Sequence, residues 1–307
     1  MKVLFISSGN SKTGISSITL NQGKSLEKIG IDVHYLTIKG KGIIGYSKNI
    51  LPLRKFLKNN KYDLIHAHFS LSAFVASLAG AKPLVVSLMG WNVKVGMTKQ
   101  LVKIFNYLFW DACIVKSRDM KQGLGIKTIE VIPNGVDFEK FKPMAKEKAQ
   151  SKLGWNPEKL NILFAADPKR PIKNYQLAEK AVSLVTLKNI KLHVLDSVPN
   201  DQMAFYYNAC DVALLTSIDE GSPNVIKEAM ACNCPIVSTN VGDVKEVINN
   251  TKGCFICSFD AAEIANKLEI ILRDQTRTNG RENIKHLKSE IIAQNVKGIY
   301  LSVLNKQ

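Results

Sequence analysis

Short apolar runs alternate with segments of helical spacing along this chain, and the alternation restricts its fold more than any other feature. Each run in the first half is short and almost wholly apolar, as strands buried on both faces of a parallel sheet should be. The predicted strands are Val3–Ser7, Val33–Ile38, Leu64–Ala67, Leu84–Leu88 and Ala112–Val115. Helical spacing follows the first two strands at Ser16–Ile29 and Ser47–Asn59. Such alternation predicts right-handed βαβ units and an α/β fold.

The same alternation starts again in the second half. The predicted strands there are Asn161–Ala165, Lys191–Leu195, Val212–Leu215 and Pro235–Ser238, and the predicted helices are Tyr175–Val185 and Pro223–Cys232. The lysine-rich segment Phe141–Trp155 is interpreted as a linker. A chain of 307 residues is long for one domain but suits two. We therefore predict two Rossmann-like domains whose parallel sheets face each other across a cleft, with ligands beyond the carboxyl ends of the strands.

The predicted domains are residues 1–145 and residues 146–290, and a helix at 291–307 is expected to pack back on the first domain. Charge divides unevenly between these parts. The formal net charge is +16, of which residues 1–145 contribute +13 and residues 146–307 only +3. Such a field attracts anionic lipid, nucleic acid or a phosphorylated substrate, although a solvated lysine-rich surface would have the same composition. No nucleic-acid-binding motif accompanies the charge, so we predict no nucleic-acid partner.

The N-terminus and the cysteines indicate the compartment. The opening residues MKVLFISSGN fit a buried first strand better than a signal peptide, and no run reaches the roughly 18–20 apolar residues of a membrane span. The six cysteines lie in apolar runs, and we interpret them as free, buried thiols. We expect a cytoplasmic protein without a metal site.

The most informative stretch is Thr216–Val237, in which a strand leads into a polar loop and then a helix. Ser222 is a good N-cap, Pro223 suits the first helical position, and the exposed N–H groups that follow form a site for a diphosphate. Glu228 can accept hydrogen bonds from ribose hydroxyls, and Glu220 can face a sugar. A capped helix behind an acidic surface loop is the simpler alternative. The predicted nucleotide-binding residues of this stretch are Gly221, Ser222, Pro223, Asn224, Val225 and Glu228.

Two glutamates eight residues apart, with Gly221 after the first and an EAMA helix, resemble the E-x7-E element of the retaining glycosyltransferase family 4, whose fold is GT-B. Ile132–Asp137, which reads IPNGVD, resembles the segment of that family at the interdomain crossover. In Ala166–Asn174, Lys173 matches the lysine that neutralises the donor diphosphate, and Arg170 is assigned as its arginine partner. Lys169 could substitute for Arg170, and Asn174 is assigned to the donor. The resemblance spans nearly the whole chain.

The acceptor side is less well specified. The loop GNSKTG, which ends at Gly14, resembles the glycine-containing loop of the family near the reaction centre. His68 ends the third strand and is a candidate for contact with substrate, with His66 a weaker one, although a lone histidine is more often structural. Many relatives carry His–Gly with Asp just beyond, where this chain has Met89-Gly90-Trp91-Asn92.

The resemblance implies transfer from a UDP- or GDP-sugar to a glycan or lipid-linked acceptor with retention of configuration, in cell-surface polysaccharide synthesis. Glu220 would position the sugar, Arg170 and Lys173 would stabilise the departing diphosphate, and no metal is implied. Lys94–Trp110 could lie on an anionic membrane surface or pack as an ordinary helix. Met89 at the histidine position leaves a catalytically impaired binding or scaffold protein as the alternative.

Overall fold

The computed structural model describes residues 1–11, 14–90, 96–195 and 198–306. The chain divides into two units, which we call the N-terminal unit, Met1–Gly135 with Ser289–Gln307, and the C-terminal unit, Val136–Lys288. Each unit is built around one parallel sheet with helices packed on it. The predicted α/β class with two Rossmann-like domains is confirmed.

The sheet of the N-terminal unit has the strand order β2-β1-β3-β4-β5-β6. Its strands are β1 (Lys2–Ser8), β2 (Asp32–Ile38), β3 (Leu64–His68), β4 (Leu84–Leu88), β5 (Ala112–Val115) and β6 (Glu130–Val131). Its helices are α1 (Ser17–Glu27), α2 (Gly42–Ser47), α3 (Ile50–Asn59), α4 (Ser70–Leu78), α5 (Gly96–Leu108), α6 (Arg118–Leu124) and α14 (Ser289–Leu304). Chain order reverses between β1 and β3, so the carboxyl ends of these two strands form a topological switch point.

Alternate residues of β3 face opposite sides of this sheet. Ile65 and Ala67 join an apolar core with side chains from α2, α3, α4 and α5. His66 points to the other side, where its ring nitrogen Nδ1 lies 2.6 Å from the hydroxyl of Tyr300 in α14. Helix α14 also packs against α1. The final segment of the chain is therefore part of the N-terminal unit.

The sheet of the C-terminal unit has the order β11-β10-β9-β7-β8. Its strands are β7 (Leu160–Phe164), β8 (Ile190–Val194), β9 (Val212–Leu215), β10 (Ile236–Thr239) and β11 (Cys254–Cys257). Its helices are α7 (Lys146–Leu153), α8 (Tyr175–Ser183), α9 (Met203–Ala209), α10 (Asn224–Ala231), α11 (Val244–Ile248), α12 (Ala261–Asp274) and α13 (Gly280–Asn283), with 3₁₀ turns at Pro171–Lys173 and Lys285–Leu287. Chain order reverses between β7 and β9.

Two segments differ from the sequence-based expectation. The helix expected at Ser47–Asn59 begins only at Ile50, as α3, and an unpredicted short helix, α2, ends at Ser47. Asn49 lies between the two helices, and its side-chain amide donates to the carbonyls of Lys39, Gly45 and Tyr46. The expected linker Phe141–Trp155 contains helix α7, which packs on α9. The burial of Ala149 and Gln150 against α9 stabilises a helix that its lysine-rich sequence concealed.

Candidate functional site

Two loops of the C-terminal unit meet where the chain order of its sheet reverses. One loop follows β7 and contains residues 165–174, and the other follows β9 and contains residues 216–223. Thr216 ties them together, because its hydroxyl donates to the carbonyl oxygens of Lys173 (3.1 Å) and Asn174 (2.9 Å). The amide of Ile218 donates to the carbonyl of Ile172 at 2.9 Å. Every predicted donor-site residue except Glu228 lies in one of these loops or in the first turn of α10.

Lys173 and Glu220 form an ion pair between the two loops. Both side chains are largely buried, and the same oxygen of Glu220 accepts a hydrogen bond from the hydroxyl of Ser217 at 2.9 Å. The ammonium group of Lys173 is therefore held beside the carboxylate that the sequence assigned to a sugar. Arg170, three residues earlier, is exposed at the start of the 3₁₀ turn.

Asn174 separates this 3₁₀ turn from α8 and adopts a left-handed conformation, with φ of 51°. Asparagine tolerates this region better than most side chains, which explains its use at a junction where the chain changes direction. The bend places Lys173 at the sheet edge while α8 continues across the face of the sheet.

Glu228 lies one turn into α10 and is buried. Its Oε1 accepts from the amide of Asn200 (3.0 Å) and its Oε2 from the hydroxyl of Tyr207 (2.9 Å). Burial raises the pKa of Glu228 above its ordinary value, and the two hydrogen bonds and the nearby Lys140 and Lys227 oppose that rise. Sequence reasoning missed Asn200 and Tyr207, because no local spacing links them to the helix that carries Glu228.

Helix α10 begins at Asn224, with Pro223 as its N-cap. The expectation that Ser222 caps the helix and Pro223 opens it is wrong by one residue, and Pro223 offers no side-chain cap. The Ser222 hydroxyl instead donates to Asp243 at 2.8 Å. Gly221, Ser222 and Pro223 are buried, whereas Asn224 and Val225 are half-buried in the first turn of the helix.

Ser222, Lys227 and Asp243 form a buried, hydrogen-bonded triad at the start of α10. The ammonium group of Lys227 bonds both the Ser222 hydroxyl and Asp243 Oδ2, the latter at 2.7 Å. Lys227 is 1% and Asp243 5% exposed at the side chain. The second oxygen of Asp243 is buried without a hydrogen-bond partner among the residues that the structure describes.

Gly242 lies directly against the Glu220 loop. A Cβ atom at Gly242, whose φ is +58°, would lie 2.8 Å from the carbonyl oxygen of Gly221 and 2.9 Å from that of Glu220. Any larger residue would displace the backbone that carries Glu220. The Val241–Val244 turn therefore packs directly against the backbone of the loop and limits where Glu220 can lie.

The switch point of the N-terminal unit holds a pocket of about 300 Å³. Its lining comes from the loops after β1, β3 and β4, with Tyr46 from α2. The lining residues are Ser8, Ser11, Ser16, Tyr46, Phe69, Ser70, Leu71 and Gly90. Phe69 has φ of 67°, which is unusual for a bulky residue and marks strain at this edge. The described lining thus offers hydroxyl groups and aromatic rings but no charged side chain.

Gly14 lies in the loop that contributes to this pocket and has φ of +81°; its amide donates to the carbonyl of Ser11 at 3.0 Å. The loop residues Lys12 and Thr13 lie outside the described residues, as do Trp91 and Asn92. Met89 is half-buried at the end of β4.

His68 does not line this pocket. Its side chain is completely buried, with its ring 4.3 Å from that of His66 and 4.4 Å from that of Phe5. Neither ring nitrogen has a hydrogen-bond partner within the described ranges. Burial and the charge of Lys116 hold the pKa of His68 well below its ordinary value, so the ring is neutral. Its burial differs from the expectation of a side chain open to substrate, because it occupies the α14 side of the sheet.

The folds of solved glycosyltransferases match this architecture. Sucrose-phosphate synthase of Thermosynechococcus elongatus has a TM-score of 0.85 at 16% identity, over 100% of both chains. Anabaena HepE in complex with UDP and glucose has a TM-score of 0.76 at 18% identity, over 98% of this chain and 100% of that chain. The class that these folds define is the GT-B fold of two Rossmann-like domains.

Two family models match parts of the sequence. Residues 146–287 match the family model of glycosyl transferases group 1, and residues 13–140 match that of glycosyltransferase family 4. The two halves of the chain are thus similar to two glycosyltransferase domains, the C-terminal half to group 1 and the N-terminal half to family 4.

Curated relatives are glycosyltransferases as well. The D-inositol 3-phosphate glycosyltransferase of Paenarthrobacter aurescens is 26% identical over 54% of this chain and 49% of the relative. The UDP-Gal:alpha-D-GlcNAc-diphosphoundecaprenol alpha-1,3-galactosyltransferase of Escherichia coli is 27% identical over 66% of this chain and 64% of the relative. The chain therefore spans about half to two thirds of the length of these curated relatives.

Proposed function

We propose that this protein transfers a sugar from a nucleotide-sugar donor to a glycan or lipid-linked acceptor with retention of anomeric configuration. The observation that carries the proposal is the convergence of Lys173, Glu220 and the start of α10 at the switch point of the C-terminal unit. Such an edge is where open α/β sheets bind their ligands. A cation, a carboxylate and a helix N-terminus there suit a sugar joined to a diphosphate.

The donor-binding roles follow from position. Glu228 accepts hydrogen bonds from the ribose hydroxyls, and Asn200 and Tyr207 fix the direction of its carboxylate. The first turn of α10, at Asn224 and Val225, receives the diphosphate. Gly221, Ser222 and Pro223 shape the loop before that turn, and Asn174 shapes the loop that carries Lys173.

In the proposed reaction, the bond between the anomeric carbon and the donor phosphate oxygen breaks while the acceptor hydroxyl forms a new bond to the same face of that carbon. The departing phosphate oxygen takes the proton of the acceptor hydroxyl, and the nucleoside diphosphate leaves carrying that proton. Lys173 and Arg170 stabilise the negative charge that develops on the diphosphate, and this removes the need for a metal. Glu220 orients the sugar and does not attack it.

The acceptor is proposed to bind at the serine-lined pocket of the N-terminal unit, where Gly14 shapes the loop after β1. His68 makes no direct contact with the acceptor in this proposal, because its buried ring packs on Phe5 and His66. A UDP- or GDP-sugar is the expected donor, because Anabaena HepE, which has a similar fold, was solved with UDP, and the name of the Escherichia coli relative specifies UDP-Gal and a diphosphoundecaprenol-linked acceptor. We place the reaction in cell-surface polysaccharide synthesis, at the inner face of the membrane.

The membrane contact in this proposal is peripheral. Within the described ranges, no helix has both the length and the apolar character that crossing a bilayer requires. A protein of this kind would meet a lipid-linked acceptor from the cytoplasmic side.

Calorimetric titration with UDP and GDP tests the donor site. We expect Glu228→Ala to weaken the preferred nucleotide about 10- to 100-fold, because it removes hydrogen bonds to a charged group. Glu147→Ala, at an exposed position of α7, is the matched control and should bind normally. Equal affinity in both variants would remove Glu228 from the site. Nucleotide binding without sugar transfer or donor hydrolysis would favour the scaffold alternative raised by Met89.

A further inference from the structure

Three helices of the N-terminal unit form one layer on a single face of its sheet. The side chains of α3, α4 and α5 share one apolar core with that face. Arg54 of α3 donates to the carbonyl of Leu78 in α4 at 2.7 Å, and the ring of Phe74 in α4 lies 4.5 Å from that of Phe105 in α5. Helix α4 therefore lies between α3 and α5, and the outer surfaces of all three point away from the same sheet.

The outer surface of α5 is apolar. Val102 is fully buried on the sheet side, and an α-helix turns about 100° per residue. Met97, Ile104, Tyr107 and Leu108 consequently fall on the opposite side. Met97 is 78% exposed and Tyr107 88%. A helix with apolar residues on both its buried and its outer side has an unpartnered apolar stripe.

A second exposed apolar group lies at the start of the same layer, on α2. Ile43 and Ile44 are 76% and 75% exposed. Their position is held by close packing of Gly40 on Gly45, where a Cβ at Gly40 would lie 2.5 Å from the carbonyl oxygen of Gly45. Tyr46 of the same helix lines the serine pocket. The exposed isoleucines therefore adjoin the proposed acceptor pocket.

The segment that builds this layer is strongly basic. Residues 33–110 contain a single acidic residue, Asp63. The basic residues of the segment are Lys39, Lys41, Lys48, Arg54, Lys55, Lys58, Lys61, Lys82, Lys94, Lys99 and Lys103. On α3, Lys55 and Lys58 are exposed on the side opposite the buried Leu53, next to the exposed Leu51. Basic and apolar side chains thus share one outer surface.

We infer that this surface binds the head-group region of an anionic bilayer. We call it the basic apolar face and define it by Ile43, Ile44, Leu51, Lys55, Lys58, Met97, Ile104, Tyr107 and Leu108. Exposed apolar side chains insert at the acyl boundary while lysines attract anionic head groups, and neither contribution alone holds a protein firmly. The inference rests on the proposed function in one respect: it explains how a lipid-linked acceptor reaches the pocket beside Tyr46.

Vesicle co-sedimentation of the full chain tests the inference. We expect binding to phosphatidylcholine vesicles with about 30% phosphatidylglycerol, little binding to pure phosphatidylcholine, and at least a fivefold loss between 0.1 and 0.5 M salt. Tyr107→Ser/Leu108→Ser and Ile43→Ser/Ile44→Ser should each weaken vesicle binding about tenfold or more. Lys55→Gln/Lys58→Gln should weaken it about five- to twentyfold and reduce its salt dependence.

Matched controls lie in the C-terminal unit. Phe259→Ser/Ile270→Ser removes exposed apolar side chains, and Lys148→Gln/Lys252→Gln removes exposed lysines; both should bind vesicles like the parent protein. Equal loss in test and control variants, or no preference for anionic vesicles, would overturn the inference. Self-association that Tyr107→Ser/Leu108→Ser abolishes, in a protein that does not bind vesicles, would overturn it in favour of a second copy of the chain.

Nucleotide titration separates this inference from the proposed function. Vesicle binding lost in a protein that still binds UDP or GDP would refute the basic apolar face alone. Intact vesicle binding in a protein that binds neither nucleotide nor sugar donor would refute the donor site and leave the face supported.

Discussion

The two sheets reverse their chain order in the same way, yet the two switch points carry different chemistry. In the C-terminal unit, the loops after β7 and β9 hold the ion pair of Lys173 and Glu220 above the buried pair of Lys227 and Asp243. In the N-terminal unit, the corresponding edge has hydroxyl groups, aromatic rings and the neutral, buried His68. Fixed opposite charges suit the place where a diphosphate leaves, whereas hydroxyl groups suit an uncharged sugar acceptor.

The difference also extends below the surface. Lys227 connects helix α10 to Asp243 in the turn after β10, so movement of the turn relative to the helix would separate buried charges. Ser222, in the loop before the helix, bonds to both side chains. In the N-terminal unit, the neutral ring of His66 is hydrogen-bonded to the hydroxyl of Tyr300 through Nδ1 and to the hydroxyl of Ser87 through Nε2, the latter at 2.8 Å. The proposed donor side is therefore held by a buried ion pair. On the proposed acceptor side, neutral hydrogen bonds and ring packing hold the two histidines, and the charge of the buried Lys116 lies close to them. The predictions below test that contrast, in order of decreasing expected effect.

Lys227→Met should have the largest effect. It leaves the Asp243 carboxylate buried without its cation, which typically costs about 3–5 kcal/mol. We expect the C-terminal unit to lose that much unfolding free energy in urea, while Lys252→Met, at an exposed position, stays near the parent. The double variant Lys227→Met/Asp243→Leu should recover most of the stability but not nucleotide affinity, if the triad positions the helix start. Full recovery of affinity would make the triad purely structural.

Lys173→Ala should mainly lower turnover, by about 10²- to 10³-fold, which corresponds to about 2.7–4 kcal/mol of transition-state stabilisation. Steady-state kinetics should show the loss in kcat more than in KM, because the cation acts on charge that develops as the bond breaks. Lys188→Ala, at an exposed position of the same unit outside the two loops, is the control and should retain at least about half of the rate. An unchanged kcat in Lys173→Ala would contradict the proposed role.

Mild acid should destabilise the N-terminal unit more than the C-terminal unit. His66 and His68 have pKa values well below 6.5 through burial, so only the unfolded state gains their protons as pH falls below 6.5. Above pH 6.5 the two histidines do not lower the free energy of unfolding. Between pH 7 and 5.5 they lower it by about 2.5 kcal/mol together. In the C-terminal unit, burial lowers the pKa of His193 to about 4, so one group contributes about 1.2 kcal/mol.

Tryptophan fluorescence can follow the units separately in urea at both pH values. Trp91→Phe/Trp155→Phe leaves Trp110 as the reporter of the N-terminal unit, and Trp91→Phe/Trp110→Phe leaves Trp155 in the C-terminal unit. His286→Gln, at an exposed position, should leave the pH dependence of the unfolding free energy unaltered in both units. Equal losses of unfolding free energy in the two units would contradict the expected difference between them.

Ser70→Ala should have the smallest effect. Removal of one neutral hydroxyl from the pocket lining costs about 0.5–1.5 kcal/mol, so the acceptor KM should rise about two- to tenfold. Donor affinity should remain unchanged, because Ser70 belongs to the N-terminal unit. Ser302→Ala, exposed on α14, is the matched control. A decrease in donor affinity without any change in acceptor KM would assign the pocket to the donor instead.

Local sequence patterns predicted a large part of the fold. The strands at Leu84–Leu88, Ala112–Val115 and Val212–Leu215 were predicted to the residue, because continuous apolar runs bounded by polar loops have few alternatives. Helix α7 was missed, since its sequence is lysine-rich and its stability comes from packing on α9. The start of α10 was off by one residue, because the Ser222 hydroxyl has a tertiary partner that outcompetes its capping role.

The sequence by itself determined the α/β class and the repeated alternation, since these depend on local spacing along one chain, and its resemblance to a known family singled out Lys173, Glu220 and Glu228 as candidate site residues. Only the tertiary structure joined Lys173 to Glu220, placed Asn200 and Tyr207 on Glu228, and paired Lys227 with Asp243. The same holds for His68, which sequence placed at a strand end and packing enclosed completely. Contacts between distant residues depend on which strands are neighbours and on which face each side chain occupies, and no local pattern encodes either.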